Sequence, residues 1–220
     1  MKKLIIVFVG SMFLAACATA TPKYEGVFVP EEYVHQLKPG PEGGVKLRWL
    51  RPGVDFPKYD KFMVDYVVFA LSPESKYKGI NADEMKEMAD TASLALVNAI
   101  KEKYPVVSEP GPDVARVRFA IVDLEQSRPV VSVITTVVPV GLGFSLVKKG
   151  ATGEWTGAGL TKGELLVHDS MTNEVIAAGY DDYSAKFTER YTKWGSLDDA
   201  FKHWGEVITN ALTKLKEEKK

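Results

Sequence analysis

Apolar residues recur along this chain in two rhythms, and the switches between them predict its elements. Over residues 61–71, Phe62, Val64, Tyr66 and Val68 fall on one side of an extended chain and Asp65 on the other, the pattern of a strand with one covered face. Pro73 and Gly79 end it. The rhythm then lengthens: Met85, Met88, Ala89, Ala92, Leu96, Ala99 and Ile100 share one helical face, Asn81 and Glu84 form a capping pair, and Pro105 bounds the run. Over 114–124 the two-residue period returns, with Ala115, Val117, Phe119 and Ile121 alternating with Arg116, Arg118 and Ala120. Strands over 162–168 and 175–180 flank a polar stretch containing Asn173, a residue that tolerates a left-handed backbone, so this part reads as a hairpin. Finally Leu197, Phe201, Trp204, Ile208, Ala211 and Leu215 keep four-three spacing behind Ser196 and Asp199, predicting an amphipathic helix that runs out into a lysine-rich end.

Two one-sided helices and at least four one-sided strands predict an α+β fold of two layers, a mainly antiparallel sheet with both amphipathic helices packed on one face. Ahead of them the composition changes. Pro22, Pro30, Pro39, Pro41, Pro52 and Pro57 alternate with Gly26, Gly40, Gly43, Gly44 and Gly53, a mixture that extends or turns. Residues 18–26 read as a tether; beyond them Tyr33, Leu37, Leu47, Trp49, Leu50 and Phe56 are too apolar for a free linker and are expected to lie across the domain. The expected organisation is a signal over 1–16, an anchored tether and extended segment over 17–44, and one domain over 45–216.

The beginning of the chain adds an address. Lys2 and Lys3 precede an uncharged apolar run over 4–14 and then Ala15, Ala16 and Cys17. That order is a charged region, a short apolar core and a small-residue cleavage site, too short for the ~20 residues a membrane-crossing helix needs. Leu14-Ala15-Ala16-Cys17 resembles the lipobox of bacterial lipoproteins, which implies cleavage after Ala16 and lipid on the Cys17 sulfur. The alternative is an ordinary secretory signal that leaves a free thiol. Cys17 is the chain's only cysteine, so disulfides and cysteine metal sites are excluded and acylation would remove a lone exported thiol. Without the first 16 of 220 residues, 204 remain, with 26 basic and 29 acidic side chains and a net charge of about −3. No basic face for nucleic acid is indicated.

Trp49-Leu50-Arg51-Pro52-Gly53, Lys58-Tyr59 with Phe62-Met63-Val64-Asp65, Gly111-Pro112-Asp113-Val114, Asp169 with Thr172, and Trp194-Gly195 before Trp204 together resemble the bacterial lipoproteins catalogued as domain of unknown function 3313. The resemblance spans residues 45–215 and implies an envelope location, carrying over no functional residue. Where the family has Thr-Gly-Glu in its hairpin turn, this chain has Thr172-Asn173-Glu174, which preserves the tolerance for positive φ. With Ala18 rather than aspartate after the cysteine, the family's sorting rule implies the outer membrane, facing the periplasm.

Candidate chemistry is sparse. Residues 130–147 carry no charge and contain Pro139, Gly141 and Gly143, which disfavours a spanning helix. They fit either buried strand and turn, or an exposed loop in which Val137, Val138, Pro139, Leu142 and Phe144 touch the bilayer or an envelope partner. His168-Asp169-Ser170 gathers a base, a carboxylate and a hydroxyl, but neighbours on a strand point to opposite faces and no G-x-S-x-G elbow exists. His35 and His203 read as surface histidines. Asp169, Asp181 and Asp182 lack the ligand spacing of a calcium loop, and the glycines between 150 and 163 lack the lysine and helix of a phosphate cradle. The expectation is therefore a non-enzyme without cofactor, metal or catalytic residue, acting as a structural or accessory envelope module. One alternative is a small-molecule or lipid binder whose cavity between sheet and helices is lined by 130–147 and Trp49. The other is a hydrolase relying on His168 or His203.

Overall fold

The two-residue alternations pair into one seven-stranded sheet: β1 (Lys38–Pro39), β2 (Leu47–Leu50), β3 (Lys61–Val64), β4 (Val68–Phe69), β5 (Val114–Glu125), β6 (Leu160–Asp169) and β7 (Val175–Ser184). The computed structural model describes residues 24–73, 75, 81–125, 160–184 and 197–218. Ala16, Cys17 and the run containing Val137, Val138, Pro139, Leu142 and Phe144 lie outside the described residues, as do Trp194 and Ser196. Strand order is β1-β2-β7-β6-β5-β3, and β4 follows β3 along the same edge of β5. Every pair is antiparallel except β3 and β4 with β5. That exception follows from connectivity. The 20-residue helix α2 (Ala82–Lys101) lies between β4 and β5, and a helical crossover returns the chain in the direction it left.

The strand expected over 61–71 is broken at its centre. Phe62 is buried as the alternation requires, but Val67 takes the next fully buried position while Tyr66 and Val68 are 51% and 43% exposed. A helix side chain supplies the reason: Ser93 Oγ accepts the Val67 N–H at 3.0 Å where a strand partner would stand, and the alternation slips by one residue. The hairpin forms as its residues indicate, with Asn173 at φ 59°.

Helix α2 begins at Asn81, whose Oδ1 accepts the Glu84 N–H at 2.8 Å. Together with α3 (residues 197–217, Leu197–Glu217) it covers one face of the sheet, and the two helices cross closely at Gly205, where a Cβ would stand 2.5 Å from the Ala99 Cβ. Beneath α3, the Phe119 ring stacks on Trp204 at 4.8 Å and meets Phe201 edge-on at 4.9 Å. Gly163 makes room for that cluster, since a Cβ there would lie 2.3 Å from Phe119 Cε1.

The opposite face is covered too. Residues 24–37, including the single turn α1 (Glu31–Val34), set Val29 and Val34 against Leu166 and Ala178, and Tyr33 packs on Trp49 at 4.7 Å. Its fastening is ionic. Glu164 is fully buried in the middle of β6, and its carboxylate accepts the successive N–H groups of Val27 (3.0 Å), Phe28 (2.6 Å) and Val29 (2.7 Å). Three converging amides form an anion-binding nest that offsets the desolvation of the charge. One covered face was the expectation for β5, but Ala120 and Val122, which alternate with the helix-facing residues, are buried as well. Ala120 pairs with Glu164, so the chain that this carboxylate holds lies beside it.

Candidate functional site

Strand parity decides what faces α3. On β2, Arg48 and Leu50 point toward the helix layer; their partners on β7 are Gly179 and Ala177, and the next partners on β6 are Leu165 and Val167. Two consecutive helix-facing positions of β7 thus carry almost no side chain. The second half of α3 passes above them, and the missing volume remains as an apolar cavity of about 310 Å³. Val207, Ile208, Ala211, Leu212 and Leu215 roof it, Tyr59 and Phe62 bound it on the buried side, and the turn from Pro41 to Val45 flanks it. Ala211 and Leu215 belong to the apolar stripe of α3 yet are only half-buried, because they cover a hollow instead of packed side chains.

Few polar groups reach the cavity. Arg48 is half-buried, whereas Lys214 and Glu218 are exposed at the end of α3 and Asn210 accepts the Lys103 ammonium on its Oδ1 at 2.5 Å. The Tyr59 hydroxyl on the buried side donates to Asp169 at 2.8 Å, and burial followed by that bond pushes the phenol up to about 12. It stays a neutral wall. Trp49 was expected to line such a cavity, but it sits on the other face against Tyr33, with the Arg51 guanidinium 5.4 Å from its ring. Its position between Arg48 and Leu50 on β2 gives it the opposite parity.

The candidate catalytic side chains meet different neighbours, and the buried Nε2 of His168 has no hydrogen-bond partner among the described residues. His168 is buried on the side away from the helices, where its Nδ1 bonds the Asn173 carbonyl at 3.0 Å; burial, with Arg118 and Arg116 nearby, holds the imidazole below its ordinary range. Ser170 Oγ donates to the Gly111 carbonyl at 2.9 Å and accepts the Gly111 N–H at 3.1 Å. His203 lies 5.5 Å from the Tyr183 ring, and exposed His35 approaches Glu31 at 3.5 Å within α1 and its cap. Asp169 and Asp181 occupy opposite ends of the β6–β7 hairpin: Asp169 faces Lys58 and Tyr59, whereas Asp181 accepts the Trp204 Nε1–H at 2.9 Å and the Lys46 N–H at 3.1 Å.

Asp169 is the best-served carboxylate in the molecule's turn. Burial alone would raise its pKa, but the Lys58 ammonium (2.8 Å), the Thr172 N–H, the Tyr59 hydroxyl and the Met171 N–H outweigh burial and hold it well below the usual carboxylate range. A folded-state pKa below the unfolded value contributes stability that is present above about pH 4 and is lost as pH falls through the folded pKa. Asp169→Asn is expected to lose about 2 kcal/mol at pH 7, the scale of a hydrogen-bonded charge, and distinctly less at pH 3. Urea midpoints at the two pH values check this; a deficit that does not shrink in acid contradicts it.

The geometry of the described residues defines an α+β domain with a packed helix layer on one side of a sheet, a buried carboxylate latch on the other, and a hollow under α3. The chain belongs to the family described as protein of unknown function DUF3313, whose model matches residues 23–208. The match takes in the latch segment as well as the domain behind it. No curated protein matches the chain. Among solved structures it is similar to the PelC dodecamer from Paraburkholderia phytofirmans, at 10% identity and a TM-score of 0.38 over 74% of this chain and 94% of that one. A DUF330 protein from Xanthomonas campestris matches at 10% identity and a TM-score of 0.37, covering 77% of this chain and 94% of that one. A DUF4136 protein from Bacteroides thetaiotaomicron matches at 9% identity and a TM-score of 0.36, covering 77% and 95%. Similarity at this level carries no functional argument.

Proposed function

We propose that this chain is a non-catalytic, lipid-anchored envelope protein, tethered through Cys17 to the outer membrane and facing the periplasm, whose domain holds a small apolar ligand. The cavity beneath α3 carries this reading. A hollow of about 310 Å³ lies at the lower end of the 300–1,000 Å³ range of small-molecule sites, and its apolar walls with few polar groups have the usual make-up of such sites. The address rests on Ala16 and Cys17 and on the resemblance of their surroundings to a lipobox.

Accessory docking through the sheet edges has less support. β1 is two residues long and contains Pro39, while the other edge is divided between β3 and β4, four and two residues long. Short, interrupted edges with proline discourage strand addition. The envelope-partner reading then depends on Val137, Val138, Pro139, Leu142 and Phe144, outside the described residues.

Two measurements test the proposal. Native mass spectrometry of the chain from residue 17, carrying Cys17→Ser and purified from cells without detergent, is expected to show a co-purifying small molecule released by organic solvent. A ligand-free protein that also takes up no added hydrophobe rejects the binding reading. Intact mass of the membrane-extracted protein, beside the Cys17→Ser variant and with the two membranes separated, tests the address. An unmodified soluble protein rejects the anchor.

A further inference from the structure

The cavity differs at its two sides. Tyr59 and Phe62 on the buried side are 1% and 2% exposed, and the Tyr59 hydroxyl is committed to Asp169, so among the described residues no free polar group waits there. Toward solvent stand Arg48, Lys214 and Glu218. Arg48 and Lys214 make no ion pair among the described residues, unlike Lys46, which pairs with Asp182 at 2.5 Å on the neighbouring stretch of β2 and β7. Two cations and one acid thus line an otherwise apolar hollow.

We infer that the ligand is a single-chain anionic amphiphile, its alkyl tail lying over Ala177 and Gly179 and its head group meeting Arg48 and Lys214. The inference rests on the cavity being a ligand site and adds the class of ligand. Volume limits the tail: 310 Å³ is about ten groups the size of a water molecule at ~30 Å³ each, enough for one short alkyl chain or part of a longer one. Position agrees, because the lining takes in Ala177 and Gly179 of β7 together with the second half of α3. Charge sets the polarity of the head: Arg48 is half-buried, and an anion beside it is less screened than on open surface. The same chemistry is offered by a fatty carboxylate and by a single-chain phosphate ester.

The test is calorimetric titration of the chain from residue 17 with Cys17→Ser, which retains every described residue. The probes are dodecanoate, dodecyl phosphate, dodecanol and dodecyltrimethylammonium, each below its aggregation concentration. Both anions are expected to bind at least tenfold tighter than dodecanol, with the ammonium weakest; the tighter anion identifies the preferred head. Arg48→Gln with Lys214→Gln is expected to bring both anions down to the affinity of dodecanol. Ala177→Leu, which fills the hollow from the sheet, and Ala211→Phe, which fills it from the helix, should each remove binding of all probes while the thermal transition persists. If all head groups bind alike and the filling variants still abolish binding, the ligand site stands and the anionic class is overturned. If no probe binds, or if neither filling variant affects binding, the site itself is overturned.

Discussion

Glu164→Ala is expected to release residues 24–37 from the sheet and to cost about 3 kcal/mol. Among the described residues the carboxylate is the sole side-chain partner of the N–H groups of Val27, Phe28 and Val29, which it binds from the middle of a central strand. Each buried amide left unpaired costs ~1–3 kcal/mol, but the segment can escape the full sum by lifting off and hydrating them. The loss then becomes that of the undocked contacts, chiefly Val29 and Val34 against Leu166 and Ala178. Hydrogen exchange distinguishes this local event from general weakening: amides of 27–29 become fast while those of α2 and β5 keep their order of protection. Glu164→Gln, which retains one acceptor oxygen but places an amide group against the donors, should fall between wild type and alanine. Continued protection of residues 27–29 in Glu164→Ala would contradict the latch.

Trp204→Ala is expected to be more damaging still, at about 4–5 kcal/mol. Removing a fully buried indole from the Phe119–Phe201 cluster leaves a void in the region where the helix layer meets β5. It also takes a donor from Asp181. Burial raises the Asp181 pKa despite the Trp204 and Lys46 bonds, so its contribution to stability falls as pH rises through the interval from its unfolded to its folded pKa. Without the indole N–H that fall steepens, and the Trp204→Ala deficit should be smaller at pH 4 than at pH 7. Trp204→Phe, which keeps most of the ring volume and lacks the N–H, should lose less than alanine while retaining this pH trend. Equal alanine deficits at both pH values would remove the role given to Asp181.

The parts of this fold that sequence periodicity exposes are those in which one residue's surroundings repeat along an element. The stripes of α2 and α3, the inward positions of β5, and the Asn173 turn are of that kind. The break at 65–67 is not, because a serine 26 positions away in the chain supplies the bond that shifts the alternation. Glu164 is equally opaque: a glutamate between Gly163 and Leu165 reads as a solvent-facing strand residue until residues 27–29 are seen around it. For the cavity, a signal was present. Ala177 and Gly179 are consecutive same-face positions of the expected strand, and their small size marks a face that another element cannot fill by packing alone. Trp49 is the larger side chain nearby, but a single step of strand parity puts it on the other face.

The latch, the aromatic cluster and the hollow are linked through β6 and β7. Gly163 admits the Phe119–Trp204 cluster, Glu164 faces away to hold residues 27–29, and Leu165 and Val167 turn back to floor the cavity. The chain thus enters the described domain on one face and presents its hollow on the other. The measurement that tests the ligand site most directly is a nuclear magnetic resonance titration of the Cys17→Ser chain from residue 17 with dodecanoate. The predicted result is saturable shift changes at Leu50, Val167, Ala177, Gly179, Ala211 and Leu215, with Val29, Tyr33 and Trp49 unaffected. Shifts centred on those latter three, or none at saturating probe, would contradict the account.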